Sequence, residues 1–110
     1  MKKYWAELIG TFILVFSGTG AIVINELYGS VTHLCVGLNF GLVVMVIIYS
    51  IGEISGAHIN PAVSIAFWVA KRMDGKEVFP YILFQLLGAF LASFTIKILF
   101  PESNLLGATL

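Results

Sequence analysis

Ser55-Gly56-Ala57-His58-Ile59-Asn60-Pro61-Ala62-Val63 is the polar, turn-forming interruption in an otherwise apolar chain. An apolar run, Leu34 to Ile51, leads into it, and a second, Ala62 to Ala70, leaves it. Asn-Pro initiates turns, and Pro suits the first position of a helix that Asn caps. The local reading is a helix that stops, a short extended turn, and a short helix starting at Pro61. The rest of the sequence shows why a chain would break its backbone there.

Composition sets the surroundings. Of 110 residues, 59% are hydrophobic and 11% charged, against about 25% charged in an average soluble domain. Mean hydropathy is +0.99. This is the composition of a polytopic membrane protein. The formal net charge is zero, and no basic patch with interleaved aromatics suggests nucleic acid. Cys35 stands alone and reads as a small apolar helix residue, which rules out an internal disulfide or a cysteine metal cluster. No cofactor or metal is expected. Lys2-Lys3 before an apolar run and Ser17-Gly18-Thr19-Gly20-Ala21 resembles a signal peptide. Glu7 inside that run, and its continuation to Ile24, favour a retained first span.

Three runs are long enough to cross a bilayer with their flanks: Leu8 to Asn25, Leu34 to Ile51 and Val78 to Ile96. With those flanks the spans are expected over about residues 4–26, 33–53 and 78–100, with the loop and short helix over about 55–70. Glu26 to Ser30 makes the first connection. Lys71 to Glu77 makes a later one, after which Pro80 is expected to open the last helix. Ala62 to Ala70 is too short to span. It either lies flat at the surface or re-enters the membrane as a half-helix; with Ser64 its sole polar residue, the second placement fits better. Lys2, Lys3, Lys71, Arg72 and Lys76 then share one side, which the positive-inside rule makes cytoplasmic. Lys97 snorkels at the far side. Small residues at spacing four (Gly37 and Gly41, Gly52 and Gly56, Gly88 and Ala92) predict close helix packing.

Irregular backbone at membrane depth survives only where protein buries it or where it lines a watery cavity. The carbonyls of Gly56, Ala57, His58 and Ile59 would then form a ladder of acceptors. The half-helix would aim the positive end of its dipole at the same place. Asn60, capping it through its side-chain oxygen, would keep an amide NH2 to donate. Acceptors, a central donor and positive potential orient a neutral solute and oppose cations and hydronium.

The string from Ser55 to Val63 resembles the first Asn-Pro-Ala box of the aquaporin and glycerol-facilitator family, the major intrinsic proteins. Ala6-Glu7-Leu8-Ile9-Gly10-Thr11-Phe12 is similar to that family's first-helix pattern, and Gln85-Leu86-Leu87-Gly88-Ala89 to its third. The resemblance implies an all-α membrane fold: three transmembrane helices plus one re-entrant half-helix, one repeat of the inverted-repeat architecture. It implies that Asn60, with Pro61 and Ala62, forms the central constriction, that residues 56 to 59 supply pore-facing carbonyls, and that Glu7 braces the loop. Phe40, 20 residues before Asn60, takes the place of a selectivity-filter residue, and Phe there resembles water-selective members. The family is usually homotetrameric, and a multi-pass plasma-membrane location with a cytoplasmic N-terminus is implied.

Plainer readings stand beside these. Glu7 could snorkel, Glu53 could simply face the interface, His33 could sit at the outer interface, His58 could be a packed loop residue, and Phe40 a lipid-facing or core aromatic. The family carries two repeats and this chain one. The remaining filter residues and the second box therefore belong to a second repeat, and Pro101 to Leu110 looks like the start of the connection to it. Three arrangements stay open: a fragment, a chain that pairs with a separate second half, and self-association of identical chains. The expected activity is passive permeation of water or small neutral solutes such as glycerol. The alternative is a non-conducting membrane packing subunit that needs, or interferes with, a full-length relative. No nucleophile–base pair or carboxylate dyad at usable spacing suggests an enzyme.

Overall fold

In a computed structural model, which describes residues 2–29 and 32–101, four helices form. They are α1 (Lys2–Tyr28), α2 (His33–Ser55), α3 (Pro61–Val69) and α4 (Gly75–Leu99). The first, second and fourth are long and apolar enough to cross a membrane. The long axis of 44 Å matches a bilayer of about 40–45 Å including its headgroup regions. This is the expected all-α architecture, with α3 as the short element. Residues 102–110, read above as the start of a connection, lie outside the described residues.

Helix α1 is the centre of the bundle. It packs on α4 along one side and on α2 along the other, and α3 packs on α4. The backbones of α1 and α4 approach closely at Gly88, where an added Cβ would lie 2.3 Å from the Leu8 carbonyl oxygen and 3.1 Å from the Phe12 nitrogen. Gly88 and Ala92 are both buried. The expectation of tight packing fails at the other two small-residue pairs. Gly37 and Gly41 face open space, and Gly52 meets only Ile48 of its own helix. The contacts of α1 with α2 form instead at Gly10, beneath Ile47 and Ile51, and at Gly18, beneath the ring of Phe40.

The same end of the bundle gathers the start of α1, the end of α2 and the start of α4. Lys3 pairs with Glu77, and Ser55 bonds Glu7. The chain therefore collects Lys2, Lys3, Lys71, Arg72 and Lys76 at one end. Tyr4 stacks on Phe84 and meets Tyr81 edge-on, joining α1 to α4 through aromatic faces.

Pro80 does not open the last helix. That helix begins at Gly75, after Asp74 in extended conformation, and Pro80 lies inside it. The proline forfeits one backbone bond, to the carbonyl four residues back. The Lys3–Glu77 pair and the bond from the Glu77 amide to the Asp74 carbonyl hold the turn before it.

Helix α3 is bounded at both ends by named bonds. Asn60 is extended at the N-cap and its Oδ1 accepts from the Ala62 amide at 2.8 Å, with Pro61 opening the helix. At the other end the Arg72 amide bonds the Phe67 carbonyl and the Lys71 amide the Trp68 carbonyl. This is a Schellman closure, with Lys71 in the left-handed position (φ 62°) where Gly is usual.

Candidate functional site

The site is built around Glu7, whose side chain is completely buried, so it does not snorkel. Four donors converge on its carboxylate. Ser55 Oγ donates to Oε2 at 2.7 Å and the His58 amide at 3.1 Å. The Ile59 amide donates to Oε1 at 2.9 Å and Gln85 Nε2 at 2.7 Å. One acid on α1 therefore binds the end of α2, the loop and α4. Backbone amides aimed at an anion in this way form a nest.

That convergence sets the loop conformation. The link is not the extended turn expected from Asn-Pro. Gly56, Ala57 and Ile59 all have positive φ, at 85°, 50° and 46°. A left-handed conformation costs an L-residue about 1–2 kcal/mol, and a β-branched residue is rare there. The loop accepts it because turning the amides of His58 and Ile59 inward satisfies them on a carboxylate, and charge-assisted bonds are about twice as strong as neutral ones. The Ala57 amide bonds Ser55 Oγ at 3.1 Å. The Ile59 side chain is buried against Gly10.

With the amides turned inward, the carbonyls are left over. Among the described residues no donor reaches the carbonyl oxygens of Gly56, Ala57, His58 or Ile59. The Ser55 carbonyl, by contrast, accepts from the Tyr81 hydroxyl at 2.7 Å. Asn60 is exposed, and its Nδ2 has no partner among the described residues.

His58 is held from several directions. Its ring stacks on Phe67 at 4.6 Å and tilts against Tyr81 at 4.9 Å, and its Nδ1 lies 2.9 Å from Ser64 Oγ. His58, Ser55 and Tyr81 line a cavity of about 530 Å3 that Lys71, Arg72 and Asp74 border. Among the described residues no group of His, Cys, Asp and Glu could hold a metal.

Glu7, residues 56 to 59 and Asn60 thus lie in one constellation. Phe40 lies apart from it, half-buried, with its ring over Gly18 between α1 and α2. Glu53, His33 and Cys35 are exposed. Gln85, Ser64, Ser55 and Tyr81 complete the constellation, and sequence reasoning gave none of them a role. The signal was available: Ser64 is the sole polar residue between 62 and 70, and Gln85 the sole amide side chain between 78 and 96.

The comparisons with known proteins agree with this architecture. The model of the family described as Major intrinsic protein matches residues 1–109. The chain belongs to the major intrinsic protein family, a family of membrane channels and not of enzymes. It is similar to a probable NIP-type aquaporin of Nicotiana alata, with 47% identity over 91% of this chain and 37% of that protein. Aquaporin NIP3-1 of Arabidopsis thaliana is 50% identical over 91% of this chain and 31% of its own length. Nodulin-26 of Glycine max is 43% identical over 94% and 39%. The chain therefore spans about a third of the length of the relatives it matches.

Proposed function

We propose that this chain supplies the first half of a passive transmembrane pore for water and small neutral solutes, completed by a second repeat. The observation that carries the reading is the division of the loop's polar groups. Its amides are taken up by Glu7 and Ser55, while four successive carbonyls, from Gly56 to Ile59, meet no donor among the described residues. A ladder of acceptors suits a solute that sheds its hydration shell and passes in single file. Asn60 adds an amide donor where the ladder ends, and the N-terminus of α3 adds positive potential that opposes cations and hydronium. Glu7 braces the loop, and Phe40 forms one wall of a selectivity filter whose other residues come from the second repeat; Phe at that place favours water over glycerol. The end of the bundle carrying Lys2, Lys3, Lys71, Arg72 and Lys76 faces the cytoplasm of a plasma-membrane protein, and complete pores associate as tetramers.

Asn60→Asp tests the reading without disturbing the fold, because Asp caps a helix as well as Asn does. The substitution removes the amide donor and places a negative charge before the half-helix. In the assembled pore it is expected to lower osmotic water flux several-fold or to admit cations. Unchanged flux together with unchanged ion exclusion refutes the central role of Asn60. A second reading, a non-conducting packing subunit, draws on the uncovered apolar faces of α2 and α3, where Leu38, Leu42, Val63 and Val69 are exposed.

A further inference from the structure

The hydrogen-bond chain behind the loop has a direction, and that direction ends on a ring nitrogen. Two of the four groups on the Glu7 carboxylate are backbone amides, which can only donate. An ionised carboxylate only accepts, which suits the Gln85 amide nitrogen placed 2.7 Å from Oε1. The same nitrogen lies 3.0 Å from Ser64 Oγ. Its two hydrogens serve one neighbour each, and Ser64 Oγ accepts the second. Turning the Gln85 amide over would set its oxygen against the carboxylate. The amide keeps its orientation although this leaves Oε1 buried without a partner among the described residues.

Ser64 is fully buried. Having accepted from Gln85, its hydroxyl has one hydrogen to place, and the neighbour left is His58 Nδ1 at 2.9 Å. We propose that Gln85 and Ser64 are positioning residues that fix His58 as the neutral imidazole carrying its hydrogen on Nε2, so that the mouth beside the loop offers a solute a ring N–H donor. Nε2 makes no hydrogen bond among the described residues, and it is not one of the buried atoms left without a partner. It lies beside Gly56, 3.1 Å from where a Cβ would stand, next to the residue whose carbonyl begins the ladder. A donor therefore stands beside the row of acceptors, and a molecule of water or a small alcohol can use both. The functional meaning rests on the pore reading above; the tautomer does not.

The test is 15N NMR of the imidazole in the purified chain reconstituted in bilayers, with His33→Gln removing the other histidine. The opposite tautomer would leave the buried Ser64 hydrogen unpaired, so Nδ1–H is expected at under about a tenth of the population near neutral pH. In Ser64→Ala the Nδ1 resonance is expected to move as its hydrogen bond is lost, and the Nδ1–H form to rise several-fold. A wild-type His58 protonated on Nδ1, or a Nδ1 resonance unmoved by Ser64→Ala, overturns the proposal while leaving the pore reading intact. Absence of conduction by the chain joined to a second repeat, with the expected resonances, overturns the pore reading alone.

Discussion

Glu7→Gln is expected to destabilise the folded chain by about 1–3 kcal/mol for each buried donor left unsatisfied. The substitution keeps the size and shape of the side chain, so packing is not the cause. Each carboxylate oxygen accepts from two donors: Oε1 from the Ile59 amide and Gln85, Oε2 from Ser55 and the His58 amide. Whichever oxygen becomes NH2 confronts two donors with a third. The amides of His58 and Ile59 cannot turn away without leaving the left-handed conformation that shapes the loop. Loss of stability should therefore accompany loss of the carbonyl ladder. Unfolding by denaturing detergent, followed by circular dichroism, reads the first. Amide hydrogen exchange at residues 57 to 59 reads the second, with protection expected to fall sharply. Wild-type stability and protection in Glu7→Gln would show that the loop is held by other contacts.

Gly88→Ala carries the next largest expected effect, about 1–3 kcal/mol, as overpacking of a close interface does. The added Cβ would meet the Leu8 carbonyl oxygen at 2.3 Å, against an ordinary contact that begins near 3.4 Å. The obstacle is backbone, so α1 and α4 must separate. In lipid, helices associate through close packing and interhelical hydrogen bonds, with no hydrophobic drive to restore a lost fit. The separation also reaches the site, because Gln85 lies one turn earlier on α4 and its bond to Glu7 spans 2.7 Å. Gly41→Ala is the matched control: nothing lies within 4 Å of its Cβ position, and it should leave stability unchanged. The same detergent unfolding measures both, and equal effects would contradict the packing assigned to α1 and α4.

The spans were legible because uncharged apolar runs of bilayer length seldom occur in a chain that stays in water. The cap and start of α3 were legible because Asn60-Pro61 satisfies a helix N-terminus locally. The loop was not. Positive φ at Ala57 and Ile59 opposes the preference of both residues, and a carboxylate from another helix is what makes it favourable. Local propensity cannot report a partner 52 positions away. Glu7 could be singled out because an acid within a span is costly. The same logic applied to Gln85 and Ser64 would have found the rest of the network. The start of α4 was misplaced because Pro80 favours a helix beginning, whereas the ion pair of Lys3 with Glu77 secures one turn more. The small-residue rule misfired at Gly37 and Gly41 because spacing alone does not say which helix face meets a neighbour.

The most direct measurement of the central claim is osmotic shrinkage, by stopped-flow light scattering, of vesicles containing this chain joined to the second half of a NIP-type relative. Water permeability above that of protein-free vesicles is expected, with a weak dependence on temperature, and background permeability for the 110-residue chain alone. Permeability at the lipid background for the joined protein, once correct folding and insertion are established, would contradict the claim that the loop from Gly56 to Asn60 forms half of a pore.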